Sequence, residues 1–213
     1  METLARELKM PNWYEVPDDF EVPDYKDGMN YLVNGEVLTW QGEGIEVRSP
    51  LLCQDGPQIK VPLIGTYPAL DEAEALRALS AAERAYGGGA GQWPQMTTEQ
   101  RIEALKGFVW HMRPKERQFA LLQMWETGKP YRSCIDEFKR TMKYIEDTIT
   151  HLCLLEEESS GISKAENYMY QVRRCPLGIC LCMGPFNYPL NETFALAIPA
   201  LIMGNSVIIK PPR

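Results

Sequence analysis

Histidine is nearly missing from this chain: only His111 and His151 stand among 213 residues. There are six cysteines, Cys53, Cys134, Cys153, Cys175, Cys180 and Cys182, and no two have Cys-x-x-Cys spacing. A zinc centre needs such clustered nitrogen and sulfur donors, so no metal site is expected. The scatter of the thiols through apolar stretches predicts reduced, buried cysteines in an intracellular protein. A basic excess is lacking too: 29 Asp and Glu outweigh 22 Lys and Arg, for a net charge of -7. That argues against a nucleic-acid surface, although one cleft can still be locally basic. No apolar run is long and charge-free enough to span a membrane. The Met1 end shows no apolar leader, so no secretory signal is expected, and the sequon at Asn191 is taken as chance. Gly-x-Gly-x-x-Gly and Gly-x-x-x-x-Gly-Lys-Ser/Thr are both absent, which removes the two commonest phosphate cradles.

The composition that remains is ordinary for a globular protein, 45% hydrophobic and 24% charged. Residues 1–29 are rich in Pro, Asp and Glu and read as an extended arm that wraps a larger body or stays mobile. Residues 30–164 read as hairpins followed by helices. Asn34-Gly35 between two apolar runs is a strong hairpin signal. A second strand pair is expected from Ile45–Ser49 and Ile59–Pro62. Helices follow: Asp71–Tyr86 with Ala73, Leu76, Leu79 and Ala82 on its stripe; one opened by the Thr97/Gln100 capping box; one after Pro114 that buries Phe119, Leu122 and Trp125; and Tyr131–Glu156 with Phe138, Met142, Ile145 and Ile149 inward.

The pattern changes near residue 165. Tyr168–Arg174 alternates like a half-exposed strand, in a segment spanning 165–177. Leu177–Met183 is continuously apolar, like a strand covered on both faces. A helix, Asn191–Leu201, kinked by Pro199, leads to a strand at Val207–Lys210. Strand, helix, strand within some 33 residues is a βαβ unit, so 178–213 begins a parallel α/β sheet. The chain stops one step past that strand, which suggests a fragment or one piece of a split chain.

Ligands of parallel sheets bind at strand carboxyl ends. One such end leads into Met183-Gly184-Pro185-Phe186-Asn187-Tyr188-Pro189. An amide donor held at Asn187 in a rigid, dry turn suits an oxyanion. The bland alternative is an ordinary helix cap, and by pattern alone it is the better one. The other end is Lys210, either a cation for a nucleotide or a solvated strand terminus.

Several ordered motifs now combine: Cys175-Pro176-Leu177-Gly178-Ile179, Gly184-Pro185-Phe186-Asn187-Tyr188-Pro189, Ala197-Ile198-Pro199-Ala200-Leu201, Gly204-Asn205 and Lys210-Pro211-Pro212. Upstream stand Tyr31-Leu32-Val33-Asn34-Gly35 and Glu126-Thr127-Gly128-Lys129-Pro130. Together they resemble the aldehyde dehydrogenase superfamily over roughly residues 30–213. Phe-Asn-Tyr-Pro and Lys-Pro-Pro are most similar to its non-phosphorylating, NADP-dependent glyceraldehyde-3-phosphate dehydrogenases. The resemblance implies the N-terminal part of that α/β fold, with an incomplete Rossmann-like parallel sheet, flanking helices and an oligomerisation strand at 165–177.

It further implies Asn187 as the catalytic oxyanion donor. Arg140 and Tyr188 would bind substrate, Arg140 aiming its fork at a phosphate. Read from the helix alone, Arg140 is equally an exposed charge. Met183, Gly184, Pro185 and Phe186 would line the nicotinamide ribose, and Lys210 would contact the adenosine ribose or its 2′-phosphate. The cofactor is NADP or NAD; Arg213 stands where the subfamily tends to carry a small hydroxyl residue, which keeps NAD in play. The family's nucleophilic cysteine, general-base glutamate and second nucleotide loop match nothing in these residues.

The expectation is therefore part of a cytoplasmic, homo-oligomeric enzyme, tetrameric by resemblance. It would oxidise a small aldehyde, glyceraldehyde 3-phosphate first, in glycolysis, and would be inactive as this chain alone. The partners are a small-molecule aldehyde and a second copy or the rest of the polypeptide, with no nucleic acid and no membrane. The alternatives are a dehydrogenase of an unphosphorylated semialdehyde and a non-catalytic assembly subunit.

Overall fold

The computed structural model describes residues 10–23, 28–159 and 161–212. Residues 1–9 and 24–27 of the expected arm, and Arg213, lie outside the described residues. The chain divides into two compact units, one of residues 1–32, 36–71 and 117–135, the other of residues 33–35, 72–116 and 136–213.

Hairpin β1 (Asn30–Val33) and β2 (Glu36–Thr39) turns through Asn34 (φ 56°) and Gly35 (φ 78°). Two left-handed residues in a row form the tight turn whose twist matches the strands, so the Asn-Gly reading holds. In the first unit, β3 (Gly44–Arg48) pairs antiparallel with β6 (Leu63–Pro68), and β4 (Cys53–Asp55) with β5 (Gln58–Lys60). The expected pairing of Ile45–Ser49 with Ile59–Pro62 is thus corrected. Ser49 N–H does reach Pro62 O at 2.9 Å, but the ladder then runs onward into β6. Gln58–Lys60 folds back on Cys53–Asp55 instead, because Gly56 (φ 60°) makes its own tight turn.

Cys53, Ile64 and Trp125 form this unit's buried centre, packed by Trp13, Val16, Val22, Val47, Leu51, Leu122 and Met124. Residues 10–23 make two 3-10 turns, Trp13–Glu15 and Asp18–Phe20. They are held by Trp125 Nε1–H donating to Phe20 O at 2.9 Å and by Gln54 N–H donating to Pro11 O at 2.8 Å. Trp125 lies on α4 (Glu116–Thr127), and Gly128 (φ 72°) ends that helix.

The second unit opens with α1 (Glu72–Tyr86), stopped by Gly87–Gly89, all at positive φ. Of its expected stripe only Ala82 is buried, together with Ala81, while Ala73, Leu76 and Leu79 are exposed. Small alanines let α1 lie close on the sheet, and a leucine on that side would hold it off. The short α2 (Gln92–Gln95) precedes α3 (Thr98–Met112). The Thr97/Gln100 capping box opens α3 in both directions, and Ile102, Leu105 and Val109 are buried along it. The long α5 (Tyr131–Ser159) buries the predicted stripe of Phe138, Met142, Ile145 and Ile149, extended at its two ends by Cys134 and Leu152.

A hairpin of β7 (Ser163–Ala165) and β8 (Tyr168–Tyr170) follows. The expected strand over Tyr168–Arg174 is shorter than predicted, and it is exposed throughout rather than on alternate residues. Then β9 (Ile179–Met183), α6 (Asn191–Ile202) and β10 (Ser206–Lys210) form the predicted βαβ unit, with β9 and β10 parallel. Cys182 is buried, but Leu181 is 61% exposed. The prediction of cover on both faces is corrected: successive strand side chains point to opposite faces, and among the described residues helices pack against the cysteine side. Asn205 ties the unit at its base. Its Oδ1 accepts from Leu177 N–H (2.6 Å) and Gly178 N–H (2.9 Å), and its Nδ2 donates to Ala200 O (2.9 Å).

Candidate active site

The two strand ends that the sequence singled out lie side by side. Lys210 is the register partner of Met183, and both side chains are exposed. From Met183 the chain enters the turn 184–190 before α6 begins at Asn191.

Three contacts hold this turn from within the second unit. Gly184 sits so close to Thr193 that an added Cβ would lie 2.0 Å from the threonine Oγ1, so only glycine fits. Thr193 Oγ1 in turn donates to Pro189 O at 2.6 Å, closing the turn on its own helix. The third contact is with Glu137 of α5, which is 1% exposed. Its Oε1 accepts from the N–H groups of Leu190 (3.2 Å) and Asn191 (3.3 Å). Those are the first free amides of α6, and a carboxylate there also meets the positive end of the helix dipole. Beside it, Asn191 Nδ2 donates to Thr141 Oγ1 at 3.4 Å.

Asn187 stands outside these contacts. It is exposed, and its side chain makes no hydrogen bond among the described residues. The cap position of α6 belongs to Leu190, three residues later, with no side-chain cap bond. The helix-cap alternative for Asn187 therefore falls. So does the expectation of a dry turn, since Pro185, Phe186, Asn187 and Tyr188 are all exposed. What stays is a neutral amide donor on a turn whose two flanks are fixed.

Arg140 is also exposed, on α5. Three residues after Glu137, it lies about 60° round the helix from the side that grips the turn. The buried thiol near the site, Cys182, is not poised as a nucleophile: burial, and then the neighbouring Cys180, push it up. The same burial raises Cys53 in the first unit.

Sequence reasoning missed Glu137. Its signal was present, because a lone carboxylate falls between Cys134, Phe138 and Thr141 on the inward stripe of α5. A charge placed there is costly unless it is paired. Its position also accounts for a missing motif. In dinucleotide folds with Gly-x-Gly-x-x-Gly, a pyrophosphate rests on the helix N-terminus after the first strand. Here two of those amides already serve Glu137.

The aldehyde dehydrogenase family model matches residues 57–213, nearly three quarters of the chain. The chain belongs to the aldehyde dehydrogenase family. A curated relative, the NADP-dependent glyceraldehyde-3-phosphate dehydrogenase of Streptococcus equinus, is 31% identical over 194 residues, covering 88% of this chain and 37% of that protein. The 1-pyrroline-5-carboxylate dehydrogenase of Bacillus subtilis (strain 168) is 25% identical over 177 residues, covering 82% and 33%. Among solved structures, NADP-dependent glyceraldehyde-3-phosphate dehydrogenase from Bacillus halodurans C-125, complexed with NADP, superposes with a TM-score of 0.71 at 28% identity, covering 86% of this chain and 37% of that one. The fold is thus the N-terminal part of the aldehyde dehydrogenase α/β fold. This chain spans about a third of the length of the relatives it matches. No helix among the described residues is long and apolar enough to cross a membrane.

Proposed function

We propose that this chain supplies the oxyanion donor and one wall of the cofactor site of an NAD(P)-dependent aldehyde dehydrogenase. The observation that carries the reading is Asn187: a free amide on a turn fixed at Gly184 and at Leu190–Asn191, directly after a parallel strand. A donor held in advance costs no reorganisation when charge develops, and one such donor is worth about 3 kcal/mol of barrier.

A thiolate from the remainder of the enzyme attacks the aldehyde carbonyl, and Asn187 Nδ2–H donates to the oxygen as it becomes negative. NADP, or NAD, supplies the hydride acceptor when bound, and water then releases the acid. The residues present suit such a cofactor. Lys210 offers an exposed cation at the strand end for the ribose or its 2′-phosphate, and Met183–Phe186 offer backbone and apolar surface beside it. With Glu137 on the first amides of α6, the phosphates are held elsewhere than on that helix end. Support for NADP comes from the relatives, two of which are named for it.

The substrate is a small phosphorylated aldehyde, glyceraldehyde 3-phosphate, with Arg140 on the phosphate and Tyr188 in the pocket. The enzyme works in the cytoplasm as a homo-oligomer, in which the exposed β7–β8 hairpin joins copies. Taken alone, these 213 residues turn nothing over. A second reading, a plain semialdehyde as substrate, is favoured by the likeness to 1-pyrroline-5-carboxylate dehydrogenase. Rates for phosphorylated and plain aldehydes, with and without Arg140→Ala in the assembled enzyme, separate the two. Selective loss of the phosphorylated substrate supports the first reading, and equal rates for both support the second. Turnover of glyceraldehyde 3-phosphate and NADP by this chain alone would overturn its inactivity. If the native polypeptide has the mass of these 213 residues and no partner restores activity, the non-catalytic assembly role replaces both.

A further inference from the structure

We infer that Glu137 is a positioning residue for the oxyanion turn; the inference rests on the reading of Asn187 given above. A buried carboxylate is kept only where it is satisfied, and here its acceptor oxygen faces two main-chain amides on the neighbouring element. Those amides lie three and four residues beyond Asn187. Nothing in the side chain of Asn187 fixes its own turn. Its place is therefore set from the flanks, by the Gly184–Thr193 contact on one side and by Glu137 on the other.

The rest of the polar side of α5 repeats the arrangement. Thr141, four residues on, accepts from Asn191 Nδ2. Tyr144, three further, donates to Ala195 O. Residues spaced by four and then three lie along one helix face, so α5 fixes both the rotation and the axial position of α6. Glu137 is the member of this ladder that reaches past the helix into the turn. The bonds to Leu190 and Asn191 both use Oε1. A glutamine keeps that oxygen and its reach, aspartate is one methylene short, and alanine leaves both amides unserved.

Hydrogen exchange of the full chain, followed by mass spectrometry in peptides spanning 184–192, tests this. Glu137→Ala and Glu137→Asp are expected to speed exchange there roughly tenfold or more, the scale for losing charge-assisted bonds to main-chain amides. Glu137→Gln is expected to restore rates to within about threefold of the parent, because the acceptor oxygen is retained. Ile145→Val, a fully buried change on the same helix, is the control for general destabilisation and is expected to leave those peptides unchanged relative to the rest. Equal exchange in Glu137→Ala and the parent, or the same acceleration in Ile145→Val, overturns the inference. The dehydrogenase reading fails separately, by the kinetics of Asn187 variants, whatever the exchange shows.

Discussion

The hydroxyl of Tyr144 donates to the carbonyl of Ala195 at 3.2 Å, and Ala195 is the residue whose helical partner would have been the missing N–H of Pro199. Proline at position 199 has no amide to give its fourth predecessor, so α6 carries one unserved acceptor in its middle. Tyr144 fills that vacancy from α5. Tyr144→Phe is expected to cost about 1 kcal/mol, the net worth of one such bond, with little change in packing. A urea midpoint unchanged from the parent would show that water serves the carbonyl as well.

Gly184 gives a second expectation. In Gly184→Ala the new Cβ would lie 2.0 Å from Thr193 Oγ1 and 3.0 Å from Thr193 N. The side chain can be removed and the backbone cannot. Gly184→Ala should therefore destabilise by about 1–3 kcal/mol, the range for overpacking, and adding Thr193→Ala should return only part of that. Complete rescue in the double variant would mean that the backbone approach is unimportant.

Local signals read well. Asn34-Gly35, the Thr97 box and the inward stripe of α5 are local patterns, and each appears where expected. The strand pairing departs from expectation although Asp55-Gly56 carries a turn signal of the same kind; two nearby apolar runs compete for one partner, and only the turn decides between them. In α1 the alanines fit two overlapping stripes, and close approach to the sheet selects the smaller side chains. The role of Glu137 depends on an element more than fifty residues away, which no local pattern encodes.

The thiols divide by burial. Cys153 and Cys175 are exposed, while Cys53, Cys134 and Cys182 are buried. Burial also pushes Cys53 and Cys182 up, so little thiolate forms there at neutral pH. A thiol reagent should mark Cys153 and Cys175 rapidly in the native chain and the three buried residues only on unfolding, as peptide mass mapping would record. Early labelling of Cys182 would contradict the packing of β9.

Burial raises the Glu126 carboxyl above its usual range. A raised acid binds its proton more tightly in the folded chain than in the unfolded one, so its contribution to stability is full below the ordinary carboxylate pKa and is lost as pH rises through the folded value. Glu126→Gln should flatten that part of the curve and be the more stable form, relative to the parent, toward neutral pH. Parallel curves for the two proteins in urea titrations across this range would rule the effect out.

Asn187 is proposed to stabilise the oxyanion of aldehyde oxidation. The direct measurement is kcat and KM of the assembled enzyme carrying Asn187→Ala. A fall in kcat of about a hundred- to a thousandfold with KM little changed is predicted, since the donor acts on charge present only in the transition state. A kcat within about twofold of the parent would contradict it, because loss of a preorganised oxyanion donor typically lowers kcat by about a hundredfold or more.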